Sequence, residues 1–320
     1  MFEYLLNKIE KSHFLDEPFR MIYIEDFFSE SHFQKIISSK EIDLPGSKDD
    51  YEMFEHLFNA GYKIISFPGC ITDKNKYISS RIKKKKIKKH SACESSGMAL
   101  RLYPKDPFLV KLNNFFKSKD FEETLSKKLA LTLDKVNFDI GIQKYLDGYE
   151  ISPHPDTRAK AGTFMINVNY GADSENLNFH THYLKFKEDK KYLKVFWEGN
   201  PNLDRQWVPW DWCETSFIQN RNNSIVIFAP DNNSLHAVKA SYNHLNFSRT
   251  QIFGNIWFKN AVTDSTPYWE ELELPVRRFK KRILLNRAKS FIPENLIKFA
   301  KTKFSKNKKY STENLYKSKG

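Results

Sequence analysis

The sequence predicts an α+β fold with a mainly β core between N-terminal and C-terminal helices. Short β-branched or aromatic runs, broken by Gly, Pro, Asn and Asp, fill residues 137–260 and predict strands. Apolar residues at helical spacing dominate residues 1–136, and helical patterns return in residues 261–320. We therefore expect an N-terminal helical or mixed region packing on the core, the β core itself, and a basic helical C-terminal extension.

The N-terminal region is predicted to contain one early strand and several helices. Residues 21–28 have the pattern of a short strand, after which Ser29 or Ser31 can cap a helix that carries Phe33. Residues 104–134 show two further helical patterns.

Six strands are predicted in the core. A Trp-rich insertion at 197–215 interrupts them, and the sequence shows no internal repeat. The predicted strands are 136–146, 162–170, 178–186, 224–229, 235–240 and 249–258.

The composition favours a reduced, cytoplasmic protein with a sizeable core. Hydrophobic residues make up 40% of the chain, and 27 Phe and 15 Tyr supply much of the core volume. The three cysteines are too scattered for a disulfide framework or a Cys-rich zinc site. The sequence has no apolar run long enough for a transmembrane helix and no secretory signal at its start.

The net charge of +13 is concentrated in two segments. Residues 81–90 contain seven Lys and Arg and no acidic residue, and the last fifty residues are also basic, whereas the remainder is slightly acidic. This distribution argues against a protein built throughout to bind phosphate backbones. Segments 81–90 and 276–309 could contact a polyanion, such as nucleic acid or an acidic membrane. The alternative is a solvated loop at 81–90 and a helix docked on the core in the C-terminal segment.

A candidate metal site is indicated by His154-Pro155-Asp156 and the later His236. Residues two apart on a strand share a face, so His154 and Asp156 can reach one ion while Pro155 points away. His236 must come from a distant strand that folds back. Two histidines and one carboxylate are the ligand set of non-heme Fe(II) oxygenases, and three protein ligands leave coordination positions open.

A candidate site for an acidic ligand is indicated on the last strand. Arg249, Gln251 and Asn255 share one face with Phe253 and Trp257, which fits a lined cavity better than a plain core. An arginine there can hold a carboxylate through a bidentate contact. The alternative is a surface salt bridge.

Segments 145–156, 224–230, 234–238 and 249–258 together resemble the 2-oxoglutarate/Fe(II)-dependent oxygenase superfamily, most of all its prolyl-4-hydroxylase-like branch. The resemblance covers about 137–260. It implies a double-stranded β-helix, a jelly-roll or cupin-like barrel with the metal at its open end. It also implies a hydroxylase that uses Fe(II), O2 and 2-oxoglutarate, optionally with ascorbate, and releases succinate and CO2.

The resemblance assigns roles to particular residues. His154, Asp156 and His236 would be the metal ligands and the catalytic centre, and Arg249 would pair with the distal carboxylate of 2-oxoglutarate. Further residues on the polar strand faces are candidates for co-substrate binding, or else satisfied internal polar residues. They are Tyr145, Thr163, Asn167, Gln251 and Asn255.

Several other features have alternative interpretations. His180 and His182 form a second pair at strand spacing that could bind a metal with Asp156 or His154, although a strand edge is favoured. His244 is predicted to be solvated.

Two features near the triplet bear on the substrate. The tryptophans of 197–212 could form a substrate lid or pack on themselves. Arg158 and Lys160 could steer an anionic substrate or lie in a solvated loop.

The favoured hypothesis is therefore a dioxygenase that hydroxylates a peptide side chain or a small metabolite. Two alternatives stay open. One is an oxygenase acting on alkylated nucleic acid, and the other is a non-catalytic barrel that binds a polyanion through its basic segments.

Overall fold

The computed structural model describes residues 1–66, 70–82 and 97–261. Most of the lysine run at 81–90, and all of the C-terminal extension except Ala261, lie outside these residues. Among the residues described, no helix combines the length and the apolar character needed to cross a membrane.

The described part of the chain contains seven α-helices and eleven strands. The helices are α1 (Glu3–Lys11), α2 (Glu30–Ile37), α3 (Asp50–Asn59), α4 (Lys74–Ile82), α5 (Pro107–Phe116), α6 (Lys119–Lys128) and α7 (Tyr192–Gly199). The strands are β1 (Ile22–Ile24), β2 (Tyr62–Ile64), β3 (Ala99–Leu102), β4 (Val136–Tyr145), β5 (Glu150–His154), β6 (Lys160–Asn167), β7 (Thr181–Phe186), β8 (Cys213–Gln219), β9 (Ile225–Phe228), β10 (His236–Lys239) and β11 (Arg249–Phe258).

Two antiparallel sheets form the core. The larger has the order β1-β9-β6-β11-β4-β3-β2, and the smaller has the order β5-β10-β7-β8. The prediction of a mainly β core with N-terminal helices is confirmed. The pairing of the described strands gives two open sheets and no closed barrel.

The six predicted core strands all form, with ends that shift by a few residues. Strand β8 was not predicted, and its first residues fall inside the predicted Trp-rich insertion. This strand lies at the edge of the smaller sheet, and most of its central residues are exposed. A polar edge strand lacks the apolar alternation by which strands are recognised.

The N-terminal elements also form near their predicted positions. Ser29 caps α2 by accepting a hydrogen bond from the His32 N–H, and Phe33 is among the residues that this helix buries. The strand predicted at 21–28 is shorter, and it extends the larger sheet by pairing with β9.

The main hydrophobic core lies between the helices and the outer face of the larger sheet. The Phe164 ring on β6 packs against Phe116 of α5 and Phe121 of α6, with centroid distances of 6.0 and 5.5 Å. Gly254 on β11 makes room for this ring, because a Cβ there would lie 2.0 Å from a Phe164 ring carbon. The polar alternate residues of β6 and β11 are therefore left for the inner face.

The prediction that His244 is solvated is wrong. Its imidazole is buried, with Nε2 2.7 Å from Asp50 Oδ1 on α3. The Asp147 backbone N–H donates to Nδ1 at 3.2 Å, and the Tyr77 hydroxyl lies 3.2 Å from the same nitrogen. The ring thus joins two N-terminal helices to the loop after β4, through partners far away in the sequence.

We expect His244→Ala to lower the free energy of unfolding by about 1–3 kcal/mol, because the Asp147 backbone amide loses its partner and the largely buried Asp50 carboxylate keeps only Arg81, at 3.4 Å, among the described residues. Urea unfolding followed by circular dichroism measures this. His182→Ala is the matched control, since the His182 side chain makes a single hydrogen bond within the described ranges, to Thr215. Equal losses in the two variants would contradict the role assigned to His244.

Candidate metal centre

His154, Asp156 and His236 lie together at one end of the smaller sheet. The antiparallel pairing of β10 with β5 sets His236 opposite His154, with ring centroids 4.4 Å apart. The Nε2 atoms of His154 and His236 lie 3.7 and 3.8 Å from Asp156 Oδ1 and Oδ2 respectively. One ligand atom from each residue falls within 4.8 Å of the others, so all three can contact a single ion.

Backbone carbonyls fix the orientation of both imidazoles. His154 Nδ1 lies 2.8 Å from the Ser152 carbonyl oxygen, and His236 Nδ1 lies 2.9 Å from that of Ser234. A carbonyl only accepts, so each Nδ1 carries the proton and each Nε2 has a lone pair available for a metal. Burial lowers the pKa of His236 to about 3, which keeps this ring neutral.

Asp156 reaches the site from a loop and not from the strand. The sequence predicted that His154 and Asp156 share one strand face, but β5 ends at His154. The Thr163 hydroxyl donates to Asp156 Oδ2 at 2.6 Å, and the buried Lys160 ammonium lies 3.0 Å from the same oxygen. Both groups engage Oδ2, so Oδ1 is the oxygen that is available to a metal ion.

The Asp156 carboxyl is ionised in spite of its burial. Burial acts to raise its pKa, but the Lys160 ammonium beside it holds the pKa well below its usual range. Two neutral imidazoles and one carboxylate suit a divalent cation such as Fe(II).

We expect Thr163→Val to weaken metal binding by about tenfold or more, because outer groups that orient a ligand typically contribute factors of this size. Anaerobic Fe(II) titration against a competing chelator would measure the dissociation constant. Thr215→Val, which alters an exposed threonine on β8, serves as the control. Unchanged affinity in Thr163→Val would show that Asp156 does not need this hydrogen bond.

Arg249 is buried on the inner face of the larger sheet and is not a surface residue. β11 pairs it with Tyr145 of β4, and its guanidinium lies 4.5 Å from the Tyr145 ring centroid. Nη2 donates to Thr181 Oγ1 at 3.1 Å, whereas Nη1 is buried without a hydrogen-bond partner among the described residues. A charged donor left in this state is costly unless a ligand pairs with it.

Two further polar atoms on this face have no partner in the described part of the protein. They are Gln143 Nε2 on β4 and Asn255 Oδ1 on β11. Strand register places Gln143 beside Gln251, and Asn255 beside Thr163. A face with donors and acceptors left over fits a ligand-lined cavity. Gln143 was not predicted as a site residue, although its position two residues before Tyr145 puts it on the same face.

Other predicted co-substrate residues make contacts within the protein. The Tyr145 hydroxyl donates to Gln143 Oε1 at 2.7 Å. The Asn167 amide donates to the Gln219 carbonyl at 2.8 Å, and Gln251 Nε2 donates to Asn167 Oδ1 at 2.8 Å. These contacts fit the interpretation of Asn167 and Gln251 as satisfied internal polar residues. Their roles at the co-substrate stay predictions.

The second histidine pair takes no part in the metal site. His182 lies opposite Ala237, so its side chain is on the sheet face away from His236. His180 Nε2 lies 3.1 Å from the Ser174 carbonyl. Within the described ranges, the one His, Cys, Asp and Glu group with metal-binding geometry is the triad of His154, Asp156 and His236.

The Trp-rich segment packs partly on this opposite face. Trp210 Nε1 donates to Glu150 Oε1 at 3.0 Å, and its ring meets His182 edge-on at 5.6 Å. Trp197 packs against Phe186 at 5.8 Å. These contacts fit an insertion that packs on the protein better than a lid over the metal centre.

No protein-family model matches the chain, and no curated protein matches it. Similar solved structures include a Pseudomonas putida prolyl-4-hydroxylase, with 8% identity, 81% of this chain and 100% of that chain covered, and a TM-score of 0.38. A prolyl hydroxylase from Trichoplax adhaerens, in complex with a hypoxia-inducible-factor peptide fragment, has 10% identity, coverages of 81% and 89%, and a TM-score of 0.36.

A third similar structure is HygX from Streptomyces hygroscopicus with nickel, 2-oxoglutarate and hygromycin B bound. It has 7% identity, coverages of 63% and 84%, and a TM-score of 0.31. Two of these three structures are prolyl hydroxylases, and the third contains 2-oxoglutarate.

Proposed function

We propose that this protein is a 2-oxoglutarate- and Fe(II)-dependent dioxygenase. The observation that carries the proposal is the pairing of a preoriented two-histidine, one-carboxylate cluster with a buried arginine whose Nη1 has no partner among the described residues. His154, Asp156 and His236 would hold the metal, and Arg249 would bind the distal carboxylate of 2-oxoglutarate.

The strand register supports this assignment. Arg249 contacts Thr181 on β7, the strand next to β10. The β7 residue opposite His236 is Tyr183, which is two residues from Thr181. Two residues of a strand span about 7 Å, which is comparable with the length of a five-carbon dicarboxylate. One such molecule can therefore reach both the metal centre and the guanidinium.

In this proposal the two sheets supply different residues of the site. The smaller sheet supplies both histidines, while the larger supplies Arg249 and the unpaired Gln143 and Asn255 atoms. Facing sheets with a polar interior fit a double-stranded β-helix. When bound, the metal would allow O2 to oxidise both 2-oxoglutarate, to succinate and CO2, and the substrate, with one oxygen atom entering succinate and the other the hydroxylated product. The protein residues hold and orient these groups and keep the site dry.

A hydroxylated peptide side chain or small metabolite is the proposed product, and the cytoplasm is the proposed location. The alternative of a polyanion-binding barrel depends on segments that lie mostly outside the described residues. A protein retired from catalysis has no physical need for a buried, unpaired Arg249 beside three ordered metal ligands.

Calorimetric titration with 2-oxoglutarate tests the proposal, with Mn(II) as a metal that is stable in air. We expect one co-substrate to bind per chain, and only when the metal is present. Binding that is equally strong without metal, or no binding to a folded protein, would contradict the assignment.

A further inference from the structure

A second buried arginine, Arg205, lies in the segment that follows α7 and contacts the loop that carries Asp156. Arg205 is only 8% exposed to solvent. Nη2 donates to the carbonyl of Thr157, the residue after Asp156, at 3.3 Å. Nε is buried and has no hydrogen-bond partner among the residues that the structure describes.

The neighbouring Arg158 shows what a structural arginine looks like in this segment. Its Nε donates to the Leu203 carbonyl at 2.7 Å, and its Nη2 donates to the Trp197 carbonyl at 2.6 Å. These bonds tie the segment to the loop that carries Asp156. Arg205 has no comparable set of partners in the described ranges, so holding the segment in place does not account for it.

No carboxylate in the described ranges forms an ion pair with Arg205. Burial lowers the pKa of its guanidinium and the charge of Arg158 lowers it further, while Asp156, Asp204 and Asp231 act in the opposite direction from beyond contact distance. Asp204 Oδ1 instead accepts the backbone N–H groups of Arg158 and Arg205, each at 2.8 Å. A buried charge without a close partner is unfavourable, and a bound anion would relieve this.

Arg205 and Arg249 contact different elements of the smaller sheet. Arg205 contacts the loop after β5, whereas Arg249 contacts Thr181 on β7, and β10 with His236 lies between these two strands. One arginine is thus assigned to the co-substrate, and the other lies on the opposite side of the metal-binding strand.

We propose that Arg205 binds an anionic group, a carboxylate or a phosphate, on the molecule that is oxidised at the metal centre. The proposal rests on the function proposed above and narrows its substrate class to anions. The guanidinium fork matches the oxygens of either group.

The test uses the full chain with Fe(II) and saturating 2-oxoglutarate under anaerobic conditions, so that Arg249 is occupied. Inorganic phosphate and, separately, acetate are titrated while tryptophan fluorescence is followed, because Trp207 lies two residues from Arg205. We expect saturable binding whose dissociation constant rises at least about tenfold in Arg205→Gln and less in Arg205→Lys. Tighter phosphate binding would indicate a phosphate ester, and tighter acetate binding a carboxylate.

Arg221→Gln is the control, because Arg221 is exposed and paired with Glu175 at 3.0 Å. The proposal is overturned if wild type shows no saturable change, or if Arg205→Gln binds both anions as wild type does. Should Arg205→Gln fail to fold, Arg205→Met replaces it, and a wild-type dissociation constant in that variant overturns the proposal. Repeating the titration on metal-free Arg249→Gln protein separates the two proposals, since anion binding at Arg205 needs neither metal nor co-substrate.

Discussion

Replacing His236 with alanine is expected to weaken metal binding by more than about a hundredfold and to abolish metal-dependent binding of 2-oxoglutarate. In the proposed site His236 would supply one of three ligand atoms, and the hydrogen bond from Nδ1 to the Ser234 carbonyl orients its Nε2 lone pair. Alanine removes one of the three proposed ligands, and the remaining two would hold a divalent ion much less tightly. Asp156→Asn should have a comparable effect, because it removes the charge while keeping the shape of the side chain.

Anaerobic Fe(II) titration and calorimetry with 2-oxoglutarate measure both effects. His182→Ala is a matched control, since it removes a histidine from the neighbouring strand on the opposite sheet face. Circular dichroism establishes that each variant is folded. If His236→Ala bound Fe(II) as tightly as His182→Ala, the metal centre would have to lie elsewhere.

Replacing Arg249 with glutamine is expected to raise the dissociation constant of 2-oxoglutarate by about a hundredfold or more while leaving Fe(II) affinity nearly unchanged. Loss of a buried, charge-assisted pair typically costs about 2–5 kcal/mol, or roughly thirtyfold to several thousandfold in affinity. The metal ligands come from the smaller sheet and the loop after β5, so they should be unaffected by a change on β11.

Co-substrate binding should also raise the free energy of unfolding. A ligand present at 100 times its dissociation constant stabilises the folded state by about 2.7 kcal/mol, and Arg249→Gln should lose most of this gain at the same concentration. Thermal unfolding with metal, with and without 2-oxoglutarate, measures the difference. Arg221→Gln, a change at an exposed arginine, should behave as wild type. An undiminished co-substrate effect in Arg249→Gln would remove Arg249 from the site.

Much of this arrangement could be predicted because it is encoded by local patterns. Alternating residues on β6 and β11 separate a polar face from an apolar one, and Phe164 with Ile252 does occupy the core. The triad residues were found by type and spacing, although Asp156 lies past the end of its strand. A loop residue can still share an ion with the preceding strand, so a common strand face was not required.

Other features depend on partners that no local pattern reveals. His244 was misjudged because Asp50, its buried partner, is 194 positions away. The unpaired nitrogens of Arg205 and Arg249 could not be predicted from the sequence, because only the folded structure shows which buried donors lack an acceptor. Arg158, predicted to steer a substrate or lie in a solvated loop, instead binds backbone carbonyls.

The decisive experiment for the proposed metal and co-substrate sites is visible absorption after anaerobic addition of Fe(II) and 2-oxoglutarate to the full chain. We expect a metal-to-ligand charge-transfer band that is absent in Asp156→Asn and weakened in Arg249→Gln at the same co-substrate concentration. A folded wild-type protein that shows no such band at saturating Fe(II) and 2-oxoglutarate would contradict both site assignments and the dioxygenase function built on them.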